Sequence, residues 1–232
     1  MMTRGTRLGI GVLGGAVVLT GVIGLLHLPA AVPLRRAVFG AAVCPVMRGS
    51  PAQIDRAHAL GVASIRATAT VPAPSRFALG FRLDETRRSD LDAWAASHGV
   101  KCRPIAGNDN LQRCADVPPS ELGQPAAPDV RTLEELTFEF RSTGELVNVQ
   151  TLRRRLSPEQ AAFTANRLER AAAESLGSPT TVGGAATAAH LSGGPLYTYV
   201  AVHNFSDYRA TISATNLPPT GVMVREEYLS VR

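Results

Sequence analysis

The chain has 232 residues, 24 lysines and arginines against 19 aspartates and glutamates, and a formal net charge of +5. Four of the arginines lie within residues 1–36, which contain no acidic residue, so the rest of the chain has 20 basic against 19 acidic residues. This distribution argues against a nucleic-acid-binding surface, because the basic excess flanks an apolar segment where arginines meet lipid headgroups.

That apolar segment, residues 8–26, runs for 19 residues without a charged side chain. As a helix it would be about 28 Å long, which matches the roughly 30 Å hydrocarbon core of a bilayer. The alternatives are a cleaved signal peptide, for which residues 40–42 offer a small-residue cleavage pattern, and a buried soluble helix. We expect an uncleaved anchor in the inner (cytoplasmic) membrane, with the C-terminal domain in the periplasm or outside the cell.

After the anchor domain, residues 1–34, we expect a tether at residues 35–76 that contains one short helix. Ser50 and Pro51 are typical of a helix start, and Gly61 predicts that this helix ends at Leu60. Prolines 72 and 74 mark a break in the chain before the exported domain, residues 77–232.

The exported domain begins with a predicted strand at residues 77–83, followed by a helix that we expect Thr86 to cap and Gly99 to end. Three apolar residues lie on one face of this helix, as expected of core packing: Leu91, Trp94 and Ala95.

Residues 100–105 and 111–114 predict a hairpin that turns around residues 107–109. Cys102 and Cys114 are symmetric about this turn, so they face each other at the distance that a disulfide requires. The alternative is a pair of buried free thiols. The same register places Arg103 opposite Arg113. A disulfide persists only in an oxidising compartment, which supports export of the domain, and it leaves Cys44 as the odd cysteine.

A second predicted hairpin places Leu136, Phe138 and Phe140 on one face, with Val147 and Val149 returning on that same face. The cluster Arg153, Arg154 and Arg155 is interpreted as a solvated face or a strand end in preference to a phosphate site. Ser157, Pro158 and Gln160 then form the start of a helix that reaches Leu176. Its polar face, Arg167, Glu169, Arg170 and Glu174, is expected to be solvated.

Residues 183–194 are rich in glycine and alanine, lack a phosphate-binding motif, and are expected to form a flexible loop. His190 and Ser192 lie there without the sequence pattern of a nucleophile elbow. Three strands follow, at residues 196–204, 208–216 and 222–231. They carry four tyrosines, which are either a candidate interaction surface or ordinary sheet residues: Tyr197, Tyr199, Tyr208 and Tyr228.

The predicted fold class is therefore α+β. An N-terminal transmembrane helix precedes two antiparallel modules, each a helix followed by strands, at about residues 77–117 and 133–232. The stretch GFRLDETRRSDLDAW, residues 80–94, resembles the helix-and-strand modules of the BLIP-like fold. That group includes envelope proteins of the SmpA/OmlA kind and the β-lactamase inhibitor proteins. The resemblance implies protein binding through a sheet face, with no catalytic residues.

We therefore expect a membrane-anchored, non-catalytic domain that binds an envelope protein, without cofactor, metal site or nucleic-acid partner. Two alternatives stay open. An apolar cavity between helix and sheet would favour a carrier of a small ligand or lipid. A cleft that brings a histidine, a serine and an acid together would favour a hydrolase.

Overall fold

The computed structural model describes residues 51–105, 108–122 and 133–232. Residues 49–232 belong to one compact unit. The predicted anchor at residues 8–26, the cleavage pattern at residues 40–42 and Cys44 lie outside the described residues. No helix in the described part of the chain combines the length and the apolar character needed to cross a bilayer.

The described chain forms an α+β fold built on antiparallel sheets. Its helices are α1 (Pro51–Arg66), α2 (Arg88–Ser97), α3 (Pro158–Leu176) and α4 (Ala188–Leu191), with a 3-10 helix at Pro119–Leu122. Its strands are β1 (Phe77–Ala78), β2 (Phe81–Arg82), β3 (Lys101–Ile105), β4 (Asn108–Ala115), β5 (Glu135–Phe140), β6 (Leu146–Leu156), β7 (Thr181–Gly183), β8 (Thr198–Asn204), β9 (Tyr208–Asn216) and β10 (Val222–Ser230).

Strands β3 to β10 form one eight-stranded sheet in the order β3-β4-β5-β6-β10-β9-β8-β7. Helix α2 precedes the four strands of one half, and helix α3 precedes the four strands of the other. The halves meet where β6 and β10 pair antiparallel at the centre of the sheet. The last strand of each half is thus an inner strand, and the first strand of each half is an edge.

The main core lies between one face of this sheet and helices α2 and α3. Helix α3 begins as predicted, because Ser157 Oγ accepts the Gln160 N–H at 3.2 Å while Gln160 Oε1 accepts the Ser157 N–H at 2.9 Å. The side of α3 that faces the sheet is lined by small and branched residues: Ala161, Ala165, Leu168, Ala172 and Leu176. The alanines let the helix approach the sheet closely.

The cysteine hairpin has the predicted register. Cys102 pairs with Cys114 and Arg103 with Arg113, and the two cysteines form a disulfide across a Cα–Cα distance of 4.1 Å. The pairing extends further than predicted, because a bulge after Pro104 brings Ile105 opposite Asn108. Arg113 makes an ion pair with Glu135 at 3.1 Å, which offsets its repulsion from Arg103.

Helix α2 docks its predicted face on the core, since Leu91 and Ala95 are buried and Trp94 packs against the cluster. Its start was predicted wrongly. Thr86 Oγ1 instead accepts the Arg82 N–H, and Asp90 supplies the N-terminal contact by accepting the Arg87 N–H at 2.7 Å. The strand predicted at residues 77–83 is two short strands, β1 and β2, that pair around Leu79 and Gly80.

The second hairpin departs from strict alternation at one residue. A bulge after Glu139 pairs Phe140 with Leu146, so Leu146 takes the core position and Val147 turns to the other face. Phe138 and Val149 pair on the core face as predicted. A period-two pattern cannot reveal such a bulge, because the inserted residue has no sequence signature.

Helix α1 continues to Arg66 instead of ending at Leu60. Gly61 does not end the helix, because packing of Val62 and Ile65 on the sheet stabilises the turn that follows it. Val62 and Ile65 form a small second cluster with Leu229 and Val231 on the opposite face of the sheet from α3. Residues assigned to the tether thus pack on the C-terminal strand.

Residues 183–194 are ordered by specific contacts, contrary to the expected flexible loop. Strand β7 pairs with β8, and Thr187 caps the short helix α4 by accepting the His190 N–H at 3.2 Å. Gly184 has a φ of +69°, and a Cβ there would collide with the Thr198 carbonyl oxygen. Glycine in this stretch therefore permits close approach of two backbone segments.

Candidate functional site

A cavity of about 240 Å³ lies between α3 and the core-facing side of the sheet. The β1–β2 hairpin and the 3-10 helix close it from two sides. Its walls are mostly apolar, and its lining includes Phe77, Leu79, Pro119, Leu122, Leu168, Ala171, Ala172, Leu176, Tyr208 and Tyr228. An apolar pocket with a few convergent polar groups is the usual form of a small-molecule site.

The buried charged pair of the cavity comes from the two central strands, whereas Thr164, Arg167 and Ser175 contribute polar side chains from α3. Arg153 on β6 and Glu226 on β10 are both buried and face each other, with Arg153 Nη1 3.7 Å from Glu226 Oε2. Thr151 bridges them, because its hydroxyl accepts from Arg153 Nη1 at 2.9 Å and donates to Glu226 Oε2 at 3.1 Å. The Tyr228 hydroxyl donates to the other oxygen, Glu226 Oε1.

Burial controls the charge states of this group. Loss of solvation lowers the pKa of Arg153, while the Glu226 carboxylate acts in the opposite direction and favours the charged guanidinium. Burial and the neighbouring Glu226 together raise the pKa of Tyr228 well above its ordinary value, so its hydroxyl stays protonated and donates. The floor of the cavity is thus an ion pair of zero net charge, ringed by neutral hydroxyls.

The burial of Arg153 corrects the interpretation of the arginine cluster as a solvated face. Arg153 is only 5% exposed, whereas the side chains of Arg154 and Arg155 are 53% and 77% exposed and pair with Glu135 and Glu134. The alternation that places Val149 in the core also places Thr151 and Arg153 there. That signal was available in the sequence, but the partner Glu226 is far along the chain and only the sheet brings it close.

The four candidate tyrosines do not form one surface. Tyr208 and Tyr228 come together, with ring centroids 6.3 Å apart, and both line the cavity. Tyr199 is buried under α3. Tyr197 is 46% exposed and packs near Gly193 and Gly194, outside the cavity.

Tyr199 belongs to a second buried polar group, at the α3–β8 contact. Its hydroxyl donates to Glu169, which was predicted to lie on a solvated face, and burial together with this bond raises the pKa of Tyr199 above its ordinary value. His203, which follows Tyr199 and Ala201 on the same face of β8, is fully buried. Burial lowers the pKa of His203 more than the nearby Glu169 raises it, so the ring is neutral at pH 7.

One contact series in the described residues has the composition of a hydrolytic triad. Ser97 Oγ lies 2.8 Å from His98 Nδ1, and His98 Nε2 lies 3.4 Å from Glu121 Oε2. However, the Ser97 hydroxyl donates to the Trp94 carbonyl at 2.9 Å, and His98 Nδ1 lies 2.8 Å from that same oxygen. A proton on Nδ1 satisfies this carbonyl, so the ring cannot accept the serine proton there, and the contacts cap the end of α2.

His190 and Ser192 are likewise separate from each other. His190 Nε2 lies 3.2 Å from the Thr198 carbonyl oxygen, and Ser192 Oγ donates to the Ala189 carbonyl at 3.2 Å. Across the described ranges, no three histidine, cysteine, aspartate or glutamate side chains lie close enough together to hold a metal ion.

The outward face of the sheet is polar and partly exposed. Residues on β8 and β9 alternate between buried and half-buried, and the half-buried positions include Thr211, Ser213 and Thr215. Lys101 and Arg103 on the edge strand β3 are exposed, and neither forms an ion pair with another residue in the described part of the chain. Helix α1 covers part of this face, where it packs with Leu229 and Val231 and lies beside Glu139 and Val147.

Comparison with protein-family models, with curated proteins and with solved structures found no match to the chain.

Proposed function

We propose that this protein is a membrane-tethered, exported and non-catalytic domain that binds an envelope protein through the outward face of its eight-stranded sheet. The observation that carries the proposal is the asymmetry of the sheet. Helices α2 and α3 lie on one face, while α1 covers only part of the other face, where polar side chains such as Ser213 are only half-buried. The resemblance to BLIP-like modules, which implies binding through a sheet face, supports the same assignment.

The dimensions of the outward face suit a protein partner. Eight strands spaced about 4.8 Å apart span about 34 Å, and strands of nine residues are about 30 Å long. Even with shorter edge strands and without the part that α1 covers, this surface approaches the roughly 800 Å² that each partner contributes to a standard interface. A sheet also holds its side chains in fixed positions, so little conformational entropy is lost on binding.

Charge indicates the chemistry of the partner. Lys101 and Arg103 lie beside Arg113 at one edge of the face, and Arg113 shares Glu135 with Arg154. Positive side chains therefore outnumber the acid at this end. An acidic surface on the partner would neutralise them and would increase the rate of association.

Site-specific photo-crosslinking in membranes of the native host tests this proposal. A photoreactive residue at Ser213, on the outward face, should capture a discrete partner, whereas one at Arg170, on the exposed side of α3, should not. Charge reversal of Arg103→Glu should reduce capture from position 213, and Arg170→Glu serves as the matched control. Equal capture from both faces, or capture that Arg103→Glu leaves unchanged, contradicts the proposal.

The second candidate function, a small-ligand carrier, is favoured by one specific observation. The cavity of about 240 Å³ lies between α3 and the sheet, which is the place where such a carrier would hold its ligand.

A further inference from the structure

We infer that the cavity between α3 and the sheet is a binding site for a small neutral alcohol or phenol with a ring-sized apolar body. The proposal is independent of the outward face, because the cavity opens on the helix side of the sheet. It rests on the volume of the cavity, the zero net charge of its floor, and the hydrogen-bonding capacity of its tyrosines.

The volume limits the size of the ligand. An engineered apolar cavity of about 150 Å³ holds benzene, and drug-sized molecules occupy pockets of about 300 Å³ or more. A cavity of about 240 Å³ falls between these values. It therefore suits one or two fused rings, of about ten non-hydrogen atoms, and it is too small for a long acyl chain.

The floor of the cavity selects for a neutral molecule. Arg153 and Glu226 already neutralise each other, with Thr151 and Tyr228 completing the contacts of the carboxylate. A ligand carboxylate or ammonium buried beside them would bring a charge that no side chain of the floor is left to balance. Arg167 also lines the cavity, but it lies on α3, and its guanidinium stacks over the ring of the exposed Phe163, 5.5 Å from the centroid. Desolvation of an uncompensated ion is expensive, so charged analogues are rejected.

The tyrosines specify the polar group of the ligand. Tyr228 donates its proton to Glu226, and Tyr208 donates its proton to the Phe77 carbonyl oxygen at 3.0 Å. Both phenolic oxygens therefore have only acceptor capacity to offer to the cavity. A ligand O–H donates to such an oxygen, whereas a ligand whose only polar group is an acceptor finds no donor on either tyrosine.

The cavity is reachable from solvent beside the β1–β2 hairpin. Three of its lining residues, Gly80, Ala171 and Ser175, are exposed, and they lie on the hairpin and on the outer turns of α3. Phe77 is 56% exposed and also lines the cavity, so an aromatic ligand meets an apolar edge before it reaches the tyrosines.

Calorimetric titration of the full chain in lipid nanodiscs tests the inference, with heats from empty nanodiscs subtracted. The probe is 2-naphthol, and the charged control of similar shape is 2-naphthoate. We expect saturable binding of one 2-naphthol per chain, and at least tenfold weaker binding of 2-naphthoate. Absence of saturable 2-naphthol binding, or equal affinity for the two compounds, overturns the inference.

Variants of α3 locate the bound probe. Ala172→Phe fills the buried wall of the cavity, and Ala171→Phe narrows the exposed rim with little risk to folding. Each should weaken 2-naphthol binding at least tenfold, whereas Ala173→Phe, one position further along the helix and outside the cavity, should not change it. Unchanged binding in folded Ala171→Phe, or equal loss in Ala173→Phe, refutes the assignment to this cavity. Photo-crosslinking from Ser213 should be unaffected by these variants, which separates this test from that of the outward face.

Discussion

Phe138 is the residue whose truncation most directly tests the core. Its side chain is fully buried on β5, and its ring contacts Phe81 edge to face with centroids 4.9 Å apart. Burial of a phenylalanine side chain contributes about 1.5–3 kcal/mol, and an aromatic pair adds about 0.5–1.5 kcal/mol. With the cavity left behind, Phe138→Ala should lower the free energy of unfolding by about 3–5 kcal/mol.

Urea denaturation of residues 49–232, the compact unit, measures this change. Trp94 is the only tryptophan and lies 5.3 Å from Phe81 between ring centroids, so its fluorescence reports on the same cluster. Far-ultraviolet circular dichroism provides a second probe that the lost ring does not affect. Phe163→Ala is the control, because Phe163 is 50% exposed on α3, and its loss should cost less than about 1 kcal/mol. Equal effects of the two substitutions would refute the packing of Phe138 in the core.

Three further predictions concern polar and covalent contacts. A double Cys102→Ala/Cys114→Ala variant should lose about 3 kcal/mol of stability, and non-reducing peptide mapping of the exported protein should recover the linked pair; free alkylation of both thiols would contradict it. Glu226→Leu should lower the free energy of unfolding by about 3–5 kcal/mol, since it removes the carboxylate opposite a buried guanidinium. In urea titrations, the double variant Arg153→Met/Glu226→Leu should recover most of that loss. A double variant as unstable as the single one would argue against the ion pair. Because burial lowers the pKa of His203, the unfolded chain binds a proton below about pH 6.5 that the folded chain rejects, so stability should fall as the pH decreases from about 7 to about 5. Unfolding measured across this range should show a shallower decline for His203→Gln, and equal slopes would refute the role of the ring.

The sequence correctly predicted those helices and strands whose positions depend on neighbouring residues. Ser157 and Gln160 marked the start of α3, and the symmetry of Cys102 and Cys114 fixed the register of their hairpin. Both signals involve residues close along the chain, so they can be recognised without knowledge of the fold. The predictions were wrong where a residue distant along the chain determines the local structure. At Gly184, for example, the backbone lies against the Thr198 carbonyl oxygen.

The candidate site likewise combines features that depend on local sequence with contacts that depend on the fold. Alternation along β6 and along β10 places Arg153 and Glu226 on inward positions of their own strands. Neither residue alone is a stable occupant of a core, and their contact depends on β10 pairing with β6 across 75 residues between Thr151 and Glu226. The cavity likewise needs walls from six separate segments, so no sequence window contains it.

The sequence by itself therefore determined the apolar segment at residues 8–26, the disulfide pair, the α+β class and most strand positions. These follow from hydrophobic period, turn chemistry and capping, which are local properties. Only the tertiary structure decided that the two halves join through β6 and β10, that Arg153 is buried, and that a cavity forms beside it. Long-range strand pairing determines these features, because it brings together side chains that no local pattern relates.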